Sequence, residues 1–458
     1  MQSVNLINRR FIFFLLSISF FSITSFAQVN SPFSRYGLGD LVPLQSITTQ
    51  GMGGLGAAYY NGQVINNNNP ASYSALRLVT YDIGFTLDAR SLRSANPVGK
   101  YNATNVAPAY LQLAIPLSST KDIAIVFGLR PKTKVSYSLA ETVPANFEEG
   151  STTDSIQNLY EGNGGVYDVF GGIGKRWKNF SIGVNVGYEF GKKQISTRVG
   201  ILDTAFSYFK SNSETNTNFW GVYVNPGIGY LIPLGSKIDP TTKISSNYSL
   251  QLGGSATLSH SLKANQKITR ETFVYDGSSG APQRIDSVSV TPNILGHIEI
   301  PMTYTAGFMI NKVLSNAYVS INKWSFGADY TAGNWSDYRF YNAKDLTVNN
   351  WMIHAGGEFS PDPVSGAKLW SRAIYRLGFY TGNDYLDLDG NGYKISAVTF
   401  GAGFHLKKKN YINQFTMINT AFELGKRGTK VNNLTQNYFK FSLSLSLSDI
   451  WFQKRKYD

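Results

Sequence analysis

The 458-residue sequence contains no cysteine. This absence excludes disulfides, thiolate metal sites and a lipid anchor attached through a cysteine. Histidine is also scarce, and the four residues share neither an HExxH motif nor close spacing with another metal-binding residue. No GxSxG nucleophile elbow occurs. We therefore predict no metal site, no cofactor and no catalytic residue, and a protein that is not an enzyme. The histidines are expected to line an interior or an interface: His260, His297, His354 and His405.

Beyond the N-terminus the sequence lacks any run of about 18 consecutive apolar residues, the length that a membrane-spanning helix requires. At the N-terminus, Arg9 and Arg10 precede FIFFLLSISFFSITSFA, which ends on the small residues Ser25 and Ala27. This pattern predicts a signal peptide over residues 1–27, cleaved before Gln28. The alternative is an N-terminal membrane anchor, but the polar segment QVNSPFSRYG follows at once and favours cleavage.

Charged residues are few, at 16% of the chain, whereas aromatic residues make up 14% and glycine numbers 44. This composition is typical of a membrane β-barrel with aromatic girdles rather than of a soluble enzyme. The net charge of +13 comes partly from clusters at predicted turns, such as Lys407–Lys409. Basic turns suit anionic lipid headgroups, so we expect outer-membrane lipid as a partner and no nucleic acid.

From Arg77 onward the chain alternates apolar and polar residues, the period of a β-strand. The segment FSLSLSLS (441–448) shows it most clearly, with leucines on one face and serines on the other. The pattern predicts an all-β protein, a transmembrane antiparallel β-barrel of about 14 strands. A soluble β-sandwich or propeller is the alternative. The strands are predicted to begin near Arg77, Asn102, Lys121, Glu161, Asn179, Asn216, Ile244, Asn293, Ala317, Thr347, Arg372, Tyr393, Asn413 and Gln436.

Short and long linkers alternate along the predicted strands, as periplasmic turns and extracellular loops do in outer-membrane barrels. The conspicuous loops are predicted at 139–160, 270–292 and 333–347. An even strand number would leave both termini in the periplasm. Trp451 and Phe452 then lie at the periplasmic interface, and a terminal strand that ends in aromatics resembles the signal by which the barrel assembly machinery recognises its substrates for insertion.

Residues 28–76 show no strand period. They contain GMGGLGAAY (51–59), in which glycines favour tight, irregular backbone, and Asn66–Asn69 followed by Pro70, which indicates a turn. A phosphate-binding loop is the alternative, but GxxxxGK[ST] and a following helix pattern are both missing. We predict three parts: the signal peptide (1–27), a hatch or plug segment (28–76) and a barrel (77–458).

The run GMGGLGAAY, followed by Asn69-Pro70-Ala71, resembles the hatch of FadL-type outer-membrane channels, the transporters of long-chain fatty acids and other hydrophobic compounds. The resemblance implies a 14-stranded barrel, a hatch that gates ligand passage, and sideways release between strands. It implies no substrate, because it extends to an uncharacterised subgroup. The hatch and ligand-gating residues that it implies are Gly51, Met52, Gly53, Gly54, Leu55, Asn69, Pro70 and Ala71.

Sideways release needs a break in the wall. Gly128 and Pro131 in the third predicted strand could kink it, because proline removes a ladder donor. The simpler interpretation is a strand end near a loop. Pro226-Gly227 is a second candidate break. The segment DYLDLDGNGYKI (384–395) has oxygen ligands near glycines, but its spacing departs from a calcium loop, so an ordinary Asp/Gly turn is favoured.

Two functions fit the sequence. The first is passive uptake of a small hydrophobic ligand or lipid, gated by the hatch. The second is a non-catalytic barrel subunit or shuttle in an outer-membrane protein secretion or assembly machine, with outer-membrane protein partners bound by its loops. An apolar path past the hatch would favour the first function, and a blocked, polar lumen would favour the second.

Overall fold

The structure, a computed structural model, describes residues 31–118, 120–144, 155–202, 208–240, 244–315, 320–361, 370–407 and 415–449. The predicted signal peptide (1–27) lies outside the described residues, and so do Trp451 and Phe452.

The described chain forms one antiparallel sheet of nineteen strands. One short helix, α1 (Ile47–Gln50), and four 3₁₀ turns (Pro32–Arg35, Pro70–Ala75, Trp335–Asp337 and Trp370–Arg372) accompany the sheet in the described residues. The strands are β1 (Asp40–Leu41), β2 (Val79–Ala95), β3 (Val98–Ser118), β4 (Ile123–Pro144), β5 (Ser155–Trp177), β6 (Phe180–Leu202), β7 (Lys210–Ile238), β8 (Ser245–Thr257), β9 (His260–Tyr275), β10 (Pro282–Ile300), β11 (Thr303–Ser315), β12 (Ser320–Gly333), β13 (Arg339–Phe340), β14 (Ala343–Lys344), β15 (Asn350–Phe359), β16 (Ile374–Asn383), β17 (Lys394–Lys407), β18 (Phe415–Arg427) and β19 (Leu434–Asp449).

The sheet closes into a barrel because β19 pairs with β2 along its whole length. The two-residue strands β1, β13 and β14 do not form part of the wall. Strands β8 and β9 follow one another along β7, so together they make one wall strand. Strands β10 and β11 make the next wall strand in the same way, against β9 and β8. The wall therefore has fourteen strands, which confirms the predicted fold class.

The two ends of the barrel differ. One end, which we call the turn end, has short connections: β5 and β6 join there through two residues, Lys178 and Asn179. At the other, the loop end, strands run past the rest of the wall. The predicted loop at 270–292 is therefore largely the hairpin of β9 and β10, and 139–160 includes parts of β4 and β5. These loop predictions were wrong in extent, because ladder hydrogen bonds continue where the side-chain pattern turns polar.

The last strand has the two faces that its alternation predicts. Leu445 on β19 is 38% exposed on the outer face, whereas Ser444 is 1% exposed on the inner face. Leu443 and Leu447 share the outer face, and across the ladder they lie opposite the exposed Phe85 and Tyr81 of β2. In an outer-membrane barrel this band faces lipid.

No helix in the described part of the chain is long and apolar enough to cross a membrane. The two ends of the described chain lie at opposite ends of the barrel. Ser31 donates its backbone N–H to the carbonyl oxygen of Ser136, in the loop-end half of β4. Asp449 lies at the turn end, opposite Val79. The orientation of the barrel in the membrane, and with it the periplasmic placement of both termini, stays a prediction.

Candidate functional site

The hatch, of which the structure describes residues 31–76, runs through the inside of the barrel from the loop end to the turn end. It begins against β4 at Ser31, crosses to β16 at Gly53 and reaches β6 at Pro70. Its side chains form buried clusters with the wall rather than lining an open channel. One such cluster joins Met52, Leu55, Ala58, Tyr59 and Val64 of the hatch to Met309 of β11.

The hatch backbone lies directly against glycines of the wall. A Cβ built on Gly183 of β6 would lie 2.5 Å from the backbone nitrogen of Ala71, and one on Gly174 of β5 would lie 2.5 Å from the carbonyl oxygen of Pro70. Such distances leave no room for a methyl group, so only glycine permits this approach. Wall glycines whose Cβ would press on hatch backbone are Gly174, Gly183, Gly253, Gly356, Gly378 and Gly401. A Cβ on Gly172, Gly227 or Gly229 would instead press on a hatch side chain, that of Tyr73, Asn69 or Tyr60 respectively.

The predicted Asn-Pro-Ala residues lie together where the hatch contacts β5, β6 and β7. The side-chain amide of Asn69 donates to the carbonyl oxygens of Ala57 (2.6 Å) and Ile228 (2.8 Å). Its side-chain oxygen accepts the backbone N–H of Ala71 at 3.1 Å and so caps the 3₁₀ turn that Pro70 begins. The Asn69 side chain thus links three groups by hydrogen bonds: the 3₁₀ turn at Ala71, the hatch backbone at Ala57 and the wall at Ile228.

The predicted glycine-rich residues lie on the opposite wall, against β15, β16 and β17. Gly53 and Gly54 have φ values of +74° and +86°, which other residues rarely adopt. Gly53 donates its N–H to the Thr399 hydroxyl (2.8 Å), and His354 donates from Nδ1 to the Gly53 carbonyl (2.6 Å). Gly51 packs on Gly401, while Met52 and Leu55 are fully buried. The structure thus places every predicted hatch residue against the wall, and their role in gating stays a prediction.

Asp329 of β12 is a hatch contact that the sequence analysis missed. Its carboxylate accepts the backbone N–H groups of Gly56 (2.6 Å) and Ala57 (2.8 Å). It is 4% exposed. The sequence could have indicated Asp329 only as an acidic residue on the inner face of a strand. It could not indicate the partners, because they are backbone groups more than 270 residues away in the sequence.

Towards the loop end the hatch is fixed by a buried charge cluster, the Asp40 cluster. Asp40 accepts from Arg90 of β2 (2.7 Å) and Arg427 of β18 (2.9 Å), and Arg427 also pairs with Asp384. Burial opposes ionisation of Asp40, but the two guanidinium groups and the Ser31 hydroxyl outweigh it, so the pKa of its carboxyl falls below the usual value. One hatch carboxylate therefore connects two wall strands that flank β19.

Further ion pairs fill the lumen beside the hatch. Arg130 of β4 pairs with Asp168 of β5 at 3.0 Å, and Asp168 also accepts the Tyr223 hydroxyl at 2.8 Å. Arg376 pairs with Glu358 at 3.2 Å, with side chains 1% and 2% exposed. Breaking a buried pair by removing one partner typically costs about 3–5 kcal/mol, so these pairs hold the lumen in one arrangement.

The cavity beside the hatch has a lining that mixes charged side chains with apolar ones such as Leu44, Ile300 and Met352. Its volume is about 340 Å³, and it lies between the hatch and the loop-end half of the wall. Its charged lining residues are Asp40, Arg90, Arg130, Lys132, Asp168, Asp384, Glu423, Arg427 and Lys440. An apolar ligand would have to displace the hydration of these groups without replacing their hydrogen bonds, which is unfavourable.

The wall has a seam between β3 and β4. These strands pair only from Ser118↔Ile123 to Leu111↔Leu129. Beyond Leu129, β4 pairs instead with the hatch strand β1, at Asp40↔Lys134 and Leu41↔Thr133. A crevice of about 780 Å³ lies along the seam, with Ala107 and Pro108 on one lip and Thr133 to Ser136 on the other.

The two predicted kink residues lie at this seam. Gly128 pairs with Gln112 next to the end of the β3–β4 ladder, and Pro131 lies just beyond it, beside a register shift against β5. Their role in a kink stays a prediction. Pro226-Gly227 does not break the wall, because β6 and β7 pair without a register shift across both residues. Gly227 instead makes room for Asn69 and Pro70.

The described residues contain no group of three or more histidine, aspartate or glutamate side chains placed to hold a metal ion. In the segment 384–395, Asp384 pairs with Arg427 and Asp389 accepts from Asn432 and from the backbone of Asn433. Asp384 thus binds the end of β18 and Asp389 binds a neighbouring loop, and the ordinary Asp/Gly turn stays a prediction.

A closed barrel of fourteen strands with a hatch packed in its lumen defines an outer-membrane β-barrel with the fold of FadL-type channels. Solved structures with this fold include a FadL homologue of Pseudomonas aeruginosa, which is 12% identical in sequence and has a TM-score of 0.54. The match covers 89% of this chain and 99% of the homologue. A TodX monoaromatic hydrocarbon channel mutant has 15% identity, coverages of 88% and 98%, and a TM-score of 0.50. At these identities the two structures show the fold alone.

A family model described as BamG matches residues 7–458, nearly the whole chain, and the protein belongs to the BamG family. No curated protein matches the sequence.

Proposed function

We propose that this protein is a non-catalytic barrel subunit of an outer-membrane protein assembly machine, and that its lumen is permanently plugged. The observation that carries the proposal is the fit of the hatch. Its backbone lies against glycines on two separate parts of the wall, such as Gly183 and Gly378, so the hatch cannot shift toward either part without a steric clash. The cavity beside it also carries charged groups on several strands, which an apolar ligand would have to desolvate.

Two further facts support a structural role. The chain belongs to the BamG family, and together with the barrel fold this points to an outer-membrane assembly context. The wall from β4 to β10 also rises beyond the shorter strands β12 to β18 at the loop end, and it exposes apolar side chains there. Val288 and Leu295 on β10, for example, are 66% and 76% exposed. Such a surface suits protein partners.

The test is native mass spectrometry of the full-length protein, extracted gently from its own outer membrane, combined with conductance in planar bilayers. We expect stoichiometric protein partners, no bound hydrophobic ligand and no conductance. A monomer that carries a bound fatty acid or aromatic compound would contradict the proposal.

The second candidate is hatch-gated uptake of small hydrophobic compounds, as the fold of the FadL-type channels suggests. The observation that favours it is the β3–β4 seam, where the crevice between the strands could release a ligand sideways. Uptake of a radiolabelled long-chain fatty acid by proteoliposomes distinguishes the two functions. Uptake that is lost when a disulfide fixes the hatch to the wall would support the channel.

A further inference from the structure

We propose that the free edge of β3 at the seam is a docking site for an extended, amphipathic β-strand of a protein partner. The inference rests on the proposed function, since such strands are what an assembly machine handles. It concerns residues 98–108, the part of β3 that pairs with β2 on one side without a register shift and has no strand partner on its other side among the described residues.

Part of this edge lies in the apolar band of the wall. Pro108 is opposite Phe85 of β2, which in turn is opposite Leu443 of β19. Val106 is two residues nearer the loop end and 63% exposed. Inside a membrane an unpaired strand edge is costly unless water or protein covers it. The crevice places this edge where a strand can reach it.

On the opposite side of the seam, the edge of β4 already pairs with an added strand. The hatch covers the edge of β4 by strand addition at Asp40 and Leu41, and Val42 continues it by donating its N–H to the Lys132 carbonyl. An extended polypeptide is the chemical group that supplies alternating donors and acceptors at this spacing. A strand bound on β3 would thus extend a pattern that the chain itself begins.

The edge of β10 provides a contrast. It too is largely free on one side, but three register shifts interrupt its ladder with β9. Bulges of this kind are a common way to prevent unwanted strand pairing. Between Val98 and Pro108 the ladder of β3 with β2 runs without a shift. The edge of β3 is therefore regular enough to accept a strand.

The side chains of β3 specify the partner strand. Val106 and Pro108 are exposed on the lipid side, whereas Ala103 is buried on the inner side. A strand added here needs apolar residues facing lipid and small or polar residues facing inward. This is the alternation of an outer-membrane β-strand, as in FSLSLSLS of β19.

The experiment uses the absence of native cysteine. The full-length Val106→Cys protein in detergent is mixed with a synthetic FSLSLSLS peptide that carries terminal lysines and one cysteine activated as a 2-pyridyl disulfide, from which 2-thiopyridone leaves when the protein thiolate attacks. The matched control is Phe439→Cys, also outward-facing but paired on both sides, with β18 and β2. We expect disulfide formation about tenfold or more above the control, because a docked strand raises the effective concentration of its activated cysteine.

A second peptide, N-methylated at every second residue, reports on backbone pairing because methylated amides cannot donate. We expect it to lose the excess cross-linking at Val106→Cys. Equal cross-linking at both cysteines, or full cross-linking by the methylated peptide, would overturn the inference.

The outcome is separable from the proposed function. Co-purifying partners without selective cross-linking would leave the subunit role standing and remove the docking site. Selective cross-linking in a protein that has no partners and carries a hydrophobic ligand would establish the docking site and contradict the subunit role.

Discussion

The contact between Gly183 and the hatch provides the sharpest test of a permanently plugged lumen. Replacing Gly183 with alanine adds one methyl group on the inner face of β6. This methyl group would lie 2.5 Å from the Ala71 nitrogen, and closer still to the Pro70 carbonyl. Atoms this close must separate, and the turn that they press on is fixed by Asn69.

Overpacking by a methyl group typically costs about 1–3 kcal/mol. If that strain is relieved when the hatch turn leaves the wall, the opening equilibrium rises by roughly 5- to 150-fold. The barrel itself should persist, because the β5–β6 and β6–β7 ladders run through this region without a register shift.

Thiol labelling of Ala58→Cys measures the opening, because Ala58 is a hatch residue only 1% exposed and the protein has no other cysteine. Heat-modifiable migration on gels shows that the barrel is folded. The matched control is Gly254→Ala, where the nearest atom to the new Cβ is 3.5 Å away. A folded Gly183→Ala protein that labels no faster than Gly254→Ala would refute the reasoning.

Three other changes test the site and the wall. Arg427→Met should lower the free energy of unfolding by roughly 3–5 kcal/mol, because it leaves two buried carboxylates without this partner. The control Arg284→Met removes an arginine that is 57% exposed and should cost less than about 1 kcal/mol. Equal urea midpoints for the two variants would contradict this. Asn69→Ala should cost about 1–3 kcal/mol by leaving buried hatch and wall groups unpaired, and unchanged labelling of Ala58→Cys would argue against its fastening role. Leu445→Lys, on the lipid face, should destabilise the barrel in vesicles by roughly 2–4 kcal/mol, and a neutral result would mean that this face is not in lipid.

The seam and the plugged lumen are related features of one structure. The hatch strand β1 takes the place on β4 that β3 leaves free. Asp40, one of its two residues, is also the centre of the Asp40 cluster. Moving the hatch would therefore break buried ion pairs and open the wall together. A partner strand that docks on β3 needs neither event.

The strand content and number followed from the sequence alone, because the two-residue period of a strand is a local property. The alternation of FSLSLSLS correctly predicted an exposed Leu445 and a buried Ser444. The strand boundaries were less predictable at the loop end. The eighth predicted strand began near Asn293, whereas β10 begins at Pro282, because its outer part is exposed on both faces and shows little alternation.

The resemblance of GMGGLGAAY and Asn69-Pro70-Ala71 to a known hatch predicted a plug segment over residues 28–76, whose boundaries and gating role stay predictions. It could not say what these residues touch. The wall glycines were visible as pairs and triplets such as GGIG and GGE, but a glycine in a strand has the same appearance whether it bends the strand or admits another backbone.

What only the tertiary structure decided is which distant groups meet. Asp329 binds hatch backbone, and Arg427 binds Asp40 across 387 residues of sequence. Strands β3 and β4 are consecutive, yet they part at Leu111, and the hatch occupies the edge of β4 beyond that point. Periodicity is fixed by each strand's own residues and the solvent on its two faces. Ion pairs, close glycine contacts and strand edges depend instead on the closure of the whole barrel around its hatch.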